Sequence, residues 1–340
     1  MSLMERLNAD PLPWLLEPDD ENPGVRYFAM RDLLGKSEGE PQVKSACKAL
    51  MKTGPVPVIL NNQHPEGYWV YSGAGYSPKY KASTWQILFL AALGANPKNE
   101  QVRLGCEYVL NNSAVPESGA YTCNRRTLPR GVVICLNGNL LHALLRLGYN
   151  SADPRIAKAF NRMAQIITNE EESEGYSWGG LRCGANGGKP CVWGGIKMLK
   201  ALLAVPAEKR TRAMQQMLQT CERLLTSHDP AAADYPRDGA VSPYWYKFGF
   251  PLTYASDILE AADVLVKLGY GKHPLLRKTL DAILKKQDLL GRWKQENAIH
   301  SRMWVNPDIR PRGAPSKWVT LRVLRLLYSI DRMDTEITSS

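Results

Sequence analysis

The sequence predicts an all-α protein in which paired helices form an α/α toroid of six inner and about five outer helices. Three recurring features predict it. Proline recurs at the start of amphipathic segments, Leu-Gly recurs at the end of apolar ones, and a short glycine–aromatic motif lies between them. Such a period indicates a helix-pair repeat, because each unit must bury its apolar face against its neighbours.

The prolines and glycines mark where helices begin and end. Proline suits the first turn because its φ is already helical and no hydrogen bond is lost there. Asn96 and Asp153 directly precede two of the prolines and can cap a helix. The prolines are spaced by 52 to 68 residues, at Pro41, Pro97, Pro154, Pro206 and Pro274. The glycines, which accommodate the left-handed backbone after a helix, are Gly35, Gly94, Gly148 and Gly269.

Two kinds of helical segment alternate between these marks. Those after the prolines are amphipathic, whereas the others are apolar nearly all round, which is typical of helices buried on every side. The sequence therefore predicts inner helices near 24–34, 79–93, 134–147, 191–204, 250–268 and 315–330. The outer helices are predicted near 41–52, 97–111, 154–168, 207–226 and 274–287. The toroid would occupy 24–332, between an N-terminal extension at 1–23 and a flexible tail at 333–340.

Composition restricts the environment and the partners. The chain has 340 residues and a net charge of +10, which favours anionic partners: nucleic acid, a membrane surface or an anionic small molecule. The basic residues are scattered and match no nucleic-acid-binding pattern, so no nucleic acid is expected. No apolar run is long enough for a transmembrane segment, and the first residues lack a secretory pattern. Seven cysteines without such a signal indicate free or metal-bound thiols and a cytoplasmic location.

The motif between helices gives a family resemblance. Residues 63–69 and 287–293 both read Q-x3-G-x-W. Copies of this motif in phase with a helix-pair period resemble the QW repeats of squalene and oxidosqualene cyclases. More broadly, the chain resembles the terpenoid cyclase and protein prenyltransferase superfamily. The resemblance implies a structural role for the glutamines and tryptophans, and an isoprenoid-like substrate.

The catalytic motifs of those families are missing. The cyclases that begin by protonation carry an Asp-x-Asp-Asp run, and the prenyltransferases hold zinc with an Asp-x-Cys pair and a distant His. Neither motif occurs in this sequence. Neither mechanism can therefore be transferred to this chain residue by residue.

A ligand site is predicted at the rim where the inner helices begin. Free N–H groups and positive helix-dipole ends converge there, and basic and aromatic residues are frequent. The predicted ligand-binding residues are Tyr76, Lys79, Tyr80, Trp85, Tyr244, Trp245, Arg312, Lys317 and Trp318. The predicted catalytic residues are Tyr254 and Asp257. Asp257, placed within an inner helix, would be a partly desolvated general acid or would hold a neighbouring helix by hydrogen bonds.

Four cysteines flank the starts of the third and fourth inner helices. They occupy the same loop position in consecutive units, so the toroid would bring them to one end. Zinc prefers four such ligands. The predicted metal site is Cys123, Cys135, Cys183 and Cys191, with His142 or His228 as replacement ligands. The alternative is that these small residues only pack at the starts of the helices.

Three classes of function remain open. The first is a prenyltransferase-like or terpene cyclase-like protein that binds an amphipathic anion in a central aromatic cavity. The second is a polysaccharide lyase or glycosidase acting on an acidic sugar, with Tyr254 as base and Lys317 neutralising the uronate. The third is a non-catalytic binding scaffold. The fold alone does not choose among them.

Overall fold

The fold is an α/α toroid, as predicted. The computed structural model describes residues 2–232, 236–237, 240–299, 303–308 and 313–338. The inner helices are α2 (Pro23–Phe28), α5 (Ser83–Leu93), α7 (Ile134–Arg146), α9 (Val192–Leu203), α11 (Ile258–Leu265) and α13 (Lys317–Thr338). Two of them continue as π turns, α2 through Ala29–Leu33 and α11 through Val266–Tyr270.

The inner helices close into a ring. Along the ring, α5 packs on α7, α7 on α9, α9 on α11 and α11 on α13, and α13 packs on α2. A Cβ on Gly24 of α2 would lie 2.8 Å from both the Leu93 carbonyl oxygen of α5 and the Trp318 ring of α13. Since real side chains do not tolerate that distance, glycine permits the close packing of α2 between its two neighbours.

Each outer helix follows its predicted proline, although some of these helices begin a few residues later than predicted. They are α3 (Pro41–Leu50), α6 (Glu100–Asn112), α8 (Pro154–Thr168), α10 (Arg212–Thr226) and α12 (Arg277–Leu284), with α4 (Pro55–Asn61) following α3. Asp153 caps α8 as expected. Asn96 does not cap α6, because the chain makes a turn first and Asn99 accepts the N–H of Val102 instead.

The two ends of the ring differ. The connections from outer to inner helices are long, at 62–82, 113–133, 169–191, 227–257 and 285–316. They lie at the end where the inner helices begin, which we refer to as the loop rim. The opposite end, the turn rim, has short connections that begin with a left-handed glycine after α5 and α7. Residues 173–190 on the loop rim form a small antiparallel sheet of β1 (Ser173–Glu174), β2 (Ser177–Trp178), β3 (Arg182–Cys183) and β4 (Lys189–Pro190); β5 (Pro236–Arg237) pairs with β6 (Ala240–Val241).

The two Q-x3-G-x-W copies make the same contacts. The indole N–H of Trp69 donates to the Ile59 carbonyl at 2.8 Å, and that of Trp293 donates to the Ile283 carbonyl at 2.8 Å. The backbone N–H groups of both tryptophans donate at 3.0 Å to hydroxyls, Ser83 and Thr320, in the first turn of the next inner helix. Each buried indole therefore ties the end of an outer helix to the start of an inner one.

The N-terminal residues complete the outer ring. Gln63 donates to the Gln101 carbonyl at the start of α6, and Gln287 donates to the Arg6 carbonyl. The backbone N–H of Asn8 in turn donates to the Gln287 side chain at 2.8 Å. Residues 6–8 thus occupy, beside the second copy, the place that α6 occupies beside the first. The short α1 (Leu12–Leu16) then packs on α2 and α13.

Three predicted boundaries of the inner helices are wrong. The second inner helix begins at Ser83 rather than 79, and the fifth begins at Ile258 rather than 250. In both cases a turn at Pro78 or Pro251 comes first. Tyr80 then adopts a left-handed φ of +69°, which an α-helix does not contain, and Asp257 caps the N–H of Glu260. The last helix runs to Thr338, so its backbone continues through the predicted tail. Among the described residues no helix is long and apolar enough to cross a membrane.

Candidate functional site

An aromatic cluster lies on the loop rim at the start of α5. The rings of Tyr76 and Tyr80 pack on Trp85, with centroids 5.2 and 4.8 Å away. Tyr254, from the loop before α11, completes the cluster at 5.5 Å from Trp85 and 6.4 Å from Tyr76. The structure therefore brings four of the predicted site residues together, from connections that are far apart in the chain.

The ammonium group of Lys79 lies over this cluster. Its Nζ is 5.1 Å from the Tyr80 ring centroid, 5.3 Å from that of Tyr254 and 5.8 Å from that of Trp85. These are cation–π distances. Within the described part of the chain, Lys79 makes no ion pair, and its side chain is exposed. A cation held between rings without a carboxylate partner can still pair with an external anion.

The backbone around Lys79 is fixed by α5. Tyr80 adopts a left-handed φ of +69°, which is uncommon for a residue with a side chain. Its carbonyl accepts a hydrogen bond from the Gln86 amide at 2.9 Å, and the Tyr76 carbonyl accepts one from the Trp85 indole at 2.8 Å. The first two turns of the inner helix thus hold the position of the cluster, as a preorganised site requires.

Burial sets the protonation of the two inner phenols. It raises the pKa of Tyr76 to about 12 and the pKa of Tyr254 well above its ordinary value of 10. Desolvation disfavours the charged phenolate, so both hydroxyls keep their protons at neutral pH. They are suited to donating hydrogen bonds to an anion and poorly suited to acting as bases.

The other predicted ligand-binding residues that the structure describes do not join the cluster. Trp245 is buried and its indole donates to the Pro230 carbonyl. Trp318 is buried, stacks on Phe250 at 4.1 Å and donates to Asn22. Lys317 pairs with Asp19 at 3.2 Å and Glu17 at 3.6 Å. Tyr244 is exposed on the loop rim, and Arg312 lies outside the described residues. The N-terminal segment covers the start of α13, so Lys317 and Trp318 face that segment.

Asp257 lies at a helix start rather than within a helix. It is the N-cap of α11, where its side chain accepts the Glu260 N–H at 2.8 Å. Arg322 of α13 donates to both carboxylate oxygens at 2.8 Å. Aspartate is a preferred N-cap, which explains why α11 starts after it. Because both oxygens are engaged, the contacts favour the helix-holding role over the role of general acid.

The cysteines lie at the loop rim without forming a metal cluster. Within the described residues, no group of three or more His, Cys, Asp or Glu side chains could hold a metal ion. Burial raises the pKa of Cys135 well above its ordinary value, and also raises those of Cys123 and Cys191, to about 11 for Cys191. Neutral thiols are poor zinc ligands until they lose their protons. His228 is exposed beside Ser227, and burial holds the pKa of His142 well below its ordinary value. Zinc binding stays a prediction.

Two groups of ion-paired side chains within the ring were not predicted. Glu260 of α11 pairs with Lys197 and Lys200 of α9, each at 2.6 Å, and Lys197 is fully buried. Asp32, after α2, pairs with Arg31 at 2.6 Å and with Arg325 of α13. The sequence contained a sign of these pairs, because isolated charged residues interrupt helices that are otherwise apolar. A helix that is buried on all sides has to place such charges inside the protein, where they need partners.

The comparisons with known proteins give similarity to solved structures alone. No family model matches the chain, and no curated protein matches it. A solved structure of the type II terpene cyclase MstE from Scytonema, without ligand, is 11% identical over 93% of this chain and 89% of that chain, with a TM-score of 0.43. A variant of MstE in complex with its substrate, geranylgeranyl dihydroxybenzoate, is 10% identical over 85% of this chain and 97% of that one, with a TM-score of 0.31. At these scores the likeness adds nothing to the ring contacts, which establish the toroid here.

Proposed function

We propose that this protein binds an amphipathic anion at the loop rim. The anionic group pairs with Lys79, and the apolar body lies against the aromatic cluster of Tyr76, Tyr80, Trp85 and Tyr254. The observation that carries the proposal is the Lys79 ammonium, which lies over three rings and has no carboxylate partner among the described residues. A charge that is already positioned loses little side-chain entropy when the ligand binds.

An isoprenoid diphosphate is the first ligand to test. Its head group is a strong acceptor for an ammonium ion, and its chain of methyl-substituted double bonds can pack on aromatic faces. The likeness of the repeat motif to QW repeats favours the same class. No reaction is assigned, because the Asp-x-Asp-Asp and Asp-x-Cys motifs are absent from the sequence. Binding without turnover is compatible with the cluster.

The acidic-sugar alternative has weaker support. It requires a base, and the raised pKa of Tyr254 works against loss of its proton. Lys317, the predicted partner for a uronate, already pairs with Asp19 and Glu17. Among the described residues, the cation that lies over the Tyr254 ring is Lys79. An oligouronate that is bound and cleaved, with ultraviolet absorbance from an unsaturated product, would favour this alternative.

Calorimetric titration tests the proposal. We expect geranylgeranyl diphosphate to bind more tightly than geranylgeraniol or inorganic diphosphate, because only the first ligand uses both the ammonium and the rings. Lys79→Gln should raise the Kd for geranylgeranyl diphosphate about tenfold or more, the usual cost of a lost charge-assisted hydrogen bond. Tyr80→Phe should bind nearly as well as the wild type, because it keeps the ring.

Lys81→Gln is the matched control. Lys81 carries the same charge two residues away and also lies over a ring, that of Trp304, at 5.1 Å. It should leave the Kd unchanged within about twofold, since rim charges outside a contact act weakly. Equal affinity of the wild type and Lys79→Gln, with both variants folded by circular dichroism, would contradict the proposal.

A further inference from the structure

A hairpin-like turn lies in the connection from α6 to α7 on the loop rim. Its base is closed where Thr122 pairs with Val132 and where the Cys123 N–H donates to the Gly131 carbonyl at 2.8 Å. A Cβ on Gly131 would lie 2.2 Å from the Thr122 hydroxyl oxygen, so glycine permits the two sides to come this close. We refer to the residues between the two sides, 124–130, as the hairpin tip.

The hairpin tip carries three arginines. Arg125, Arg126 and Arg130 are exposed, and within the described part of the chain they make no ion pair and no side-chain hydrogen bond. Their backbone is held by the turn, because the Leu128 N–H donates to the Arg126 carbonyl at 2.8 Å and the Leu128 carbonyl accepts the Thr122 hydroxyl at 3.0 Å. Three guanidinium groups therefore extend into solvent from one short, fixed turn.

The small antiparallel sheet contacts the hairpin tip. A Cβ on Gly175, in the turn between β1 and β2, would lie 2.2 Å from the Pro129 carbonyl oxygen and 2.8 Å from the Arg130 carbonyl carbon. The next residue, Tyr176, donates its backbone N–H to the Val132 carbonyl at 3.0 Å. The turn of the sheet is thus fixed against the hairpin, and Tyr176 follows directly after the contact.

Two aromatic rings of this sheet rest on backbone and are open to solvent. A Cβ on Gly188 would lie 2.6 Å from the Trp178 indole, and one on Gly184 would lie 3.5 Å from that indole and 3.4 Å from the Tyr176 ring. The side chain of Tyr176 is nevertheless 47% exposed and that of Trp178 is 39% exposed. Rings supported in this way can serve as platforms on which planar groups stack. We refer to the two rings and the three arginines as the arginine–aromatic surface.

The acidic side chains of the two connections do not pair with these arginines. Glu172 and Glu174 pair with Arg162 of α8, at 2.7 and 2.6 Å. The other three carboxylates are exposed, and among the described residues none of them contacts an arginine of the hairpin tip; they are Glu117, Glu170 and Glu171. The hairpin tip itself contains three basic residues and no acidic one. Its positive charge is therefore available to an external anion.

We propose that the arginine–aromatic surface binds single-stranded nucleic acid, RNA or DNA. The fork of N–H donors on each guanidinium matches phosphate oxygens, and unpaired bases stack on Tyr176 and Trp178. The rings lie on backbone instead of projecting, which suits stacking better than insertion into a lipid surface. The sequence did not predict this surface, because its residues come from two connections that the fold brings together. It includes no residue of the Lys79 cluster and does not rest on the ligand proposed there.

Fluorescence anisotropy tests the proposal with a labelled oligouridylate of about 15 nucleotides, within the usual range of such sites. If the three arginines neutralise three phosphates, the logarithm of the association constant should fall with the logarithm of salt concentration with a slope of about −2. An oligothymidylate of equal length is the second probe. Tighter binding of the RNA assigns the surface to RNA through its 2′-hydroxyls, and equal or tighter binding of the DNA assigns it to single strands in general.

Two variants separate charge from stacking. The triple variant Arg125→Gln, Arg126→Gln, Arg130→Gln should raise the Kd about tenfold or more at low salt and remove most of the salt dependence. Trp178→Ala should also raise the Kd about tenfold, but it should leave the slope unchanged, because stacking on a ring releases no counterions. A purely structural role of Trp178 would not separate the two readouts in this way.

The matched control removes three exposed charges elsewhere, from outer helix α3 and the residue just past its end: Lys44→Gln, Lys48→Gln, Lys52→Gln. This variant should keep the Kd within about twofold of the wild type, since exposed charges outside a contact act weakly. Circular dichroism confirms that each variant is folded.

Three results would overturn the proposal. The first is no binding of either oligonucleotide at low salt. The second is a Kd and a slope that the arginine variant leaves unchanged, or a Kd that Trp178→Ala leaves unchanged. The third is cosedimentation with vesicles of phosphatidylglycerol and phosphatidylcholine that the arginine variant abolishes, in a protein that binds no oligonucleotide, because this would assign the surface to a membrane.

Discussion

The carboxylate of Asp257 accepts two hydrogen bonds from Arg322, each 2.8 Å long, and this pair joins the start of α11 to α13. Asp257 is only 1% exposed. Asp257→Asn removes the negative charge and leaves a buried guanidinium, so we expect a loss of about 3 kcal/mol in the free energy of unfolding. Urea denaturation followed by circular dichroism measures it.

Asp263→Asn is the control for that substitution. Asp263 pairs with Lys267 four residues along the same helix, where the Lys267 side chain is half exposed. Exposed pairs of this kind contribute about 0.5 kcal/mol. Equal losses for the two variants would show that the Asp257–Arg322 pair does not hold the two helices together.

The two buried tryptophans of the repeat motif should have equal effects. Trp69→Phe and Trp293→Phe each remove an indole hydrogen bond of 2.8 Å to the end of an outer helix. The carbonyl left without its donor should cost about 1–3 kcal/mol in each variant. Trp178→Phe, at a tryptophan that is 39% exposed, should change the free energy of unfolding by less than about 0.5 kcal/mol. A large effect from Trp69 alone would contradict the equivalence of the copies.

Histidine 142 should make stability depend on pH. Burial, followed by the charges of Lys200, Arg146 and Lys267, holds the pKa of His142 well below its ordinary value of 6.5. Below pH 6.5 the unfolded state binds a proton that the folded state does not. His142 should therefore lower the free energy of unfolding by up to about 1.4 kcal/mol per pH unit as the pH falls. His142→Gln should lose this component of the slope between pH 6.5 and 5, whereas His228→Gln at an exposed site should keep it. Unchanged slopes in both variants would refute the assignment.

The contact between residues 6–10 and the second Q-x3-G-x-W copy can be tested at Gly291. Its φ is +66°, and a Cβ there would lie 2.0 Å from the Ala9 carbonyl oxygen. Gly313 has a φ of +86° with nothing within 4 Å of a Cβ. Alanine at either position costs about 1 kcal/mol for its left-handed backbone. Only Gly291→Ala also meets the Ala9 carbonyl, so its free energy of unfolding, measured by urea denaturation, should fall by at least about 1 kcal/mol more than that of Gly313→Ala. Equal losses would place the N-terminal residues away from this turn in solution.

The ring itself could be predicted because its signals are local. Pro41, Pro154, Gly94 and Gly148 mark helix boundaries through their own backbone restrictions, which neighbours hardly alter. The start of α11 was not predicted correctly, because its signal is not local in the same way. The apolar run from Phe250 continues the helical pattern, and the cap at Asp257 shows only when its contacts are known.

Long-range partners explain what the sequence did not reveal. Lys79 and Lys317 follow similar proline-containing sequences, Ser77-Pro78 and Ala314-Pro315, so the same role was predicted for both. The N-terminal segment covers Lys317 through Asp19, whereas nothing among the described residues pairs with Lys79.

The packing of α2 between α5 and α13 has a consequence for how the protein comes apart. An open array of helix pairs can lose units one by one from its ends, so its unfolding is gradual. Here Gly24 contacts Trp318, and Asp32 pairs with Arg325, so the first and last pairs support each other. The array has no free end from which to fray. We therefore expect a single cooperative transition, in which secondary-structure and tryptophan signals change together.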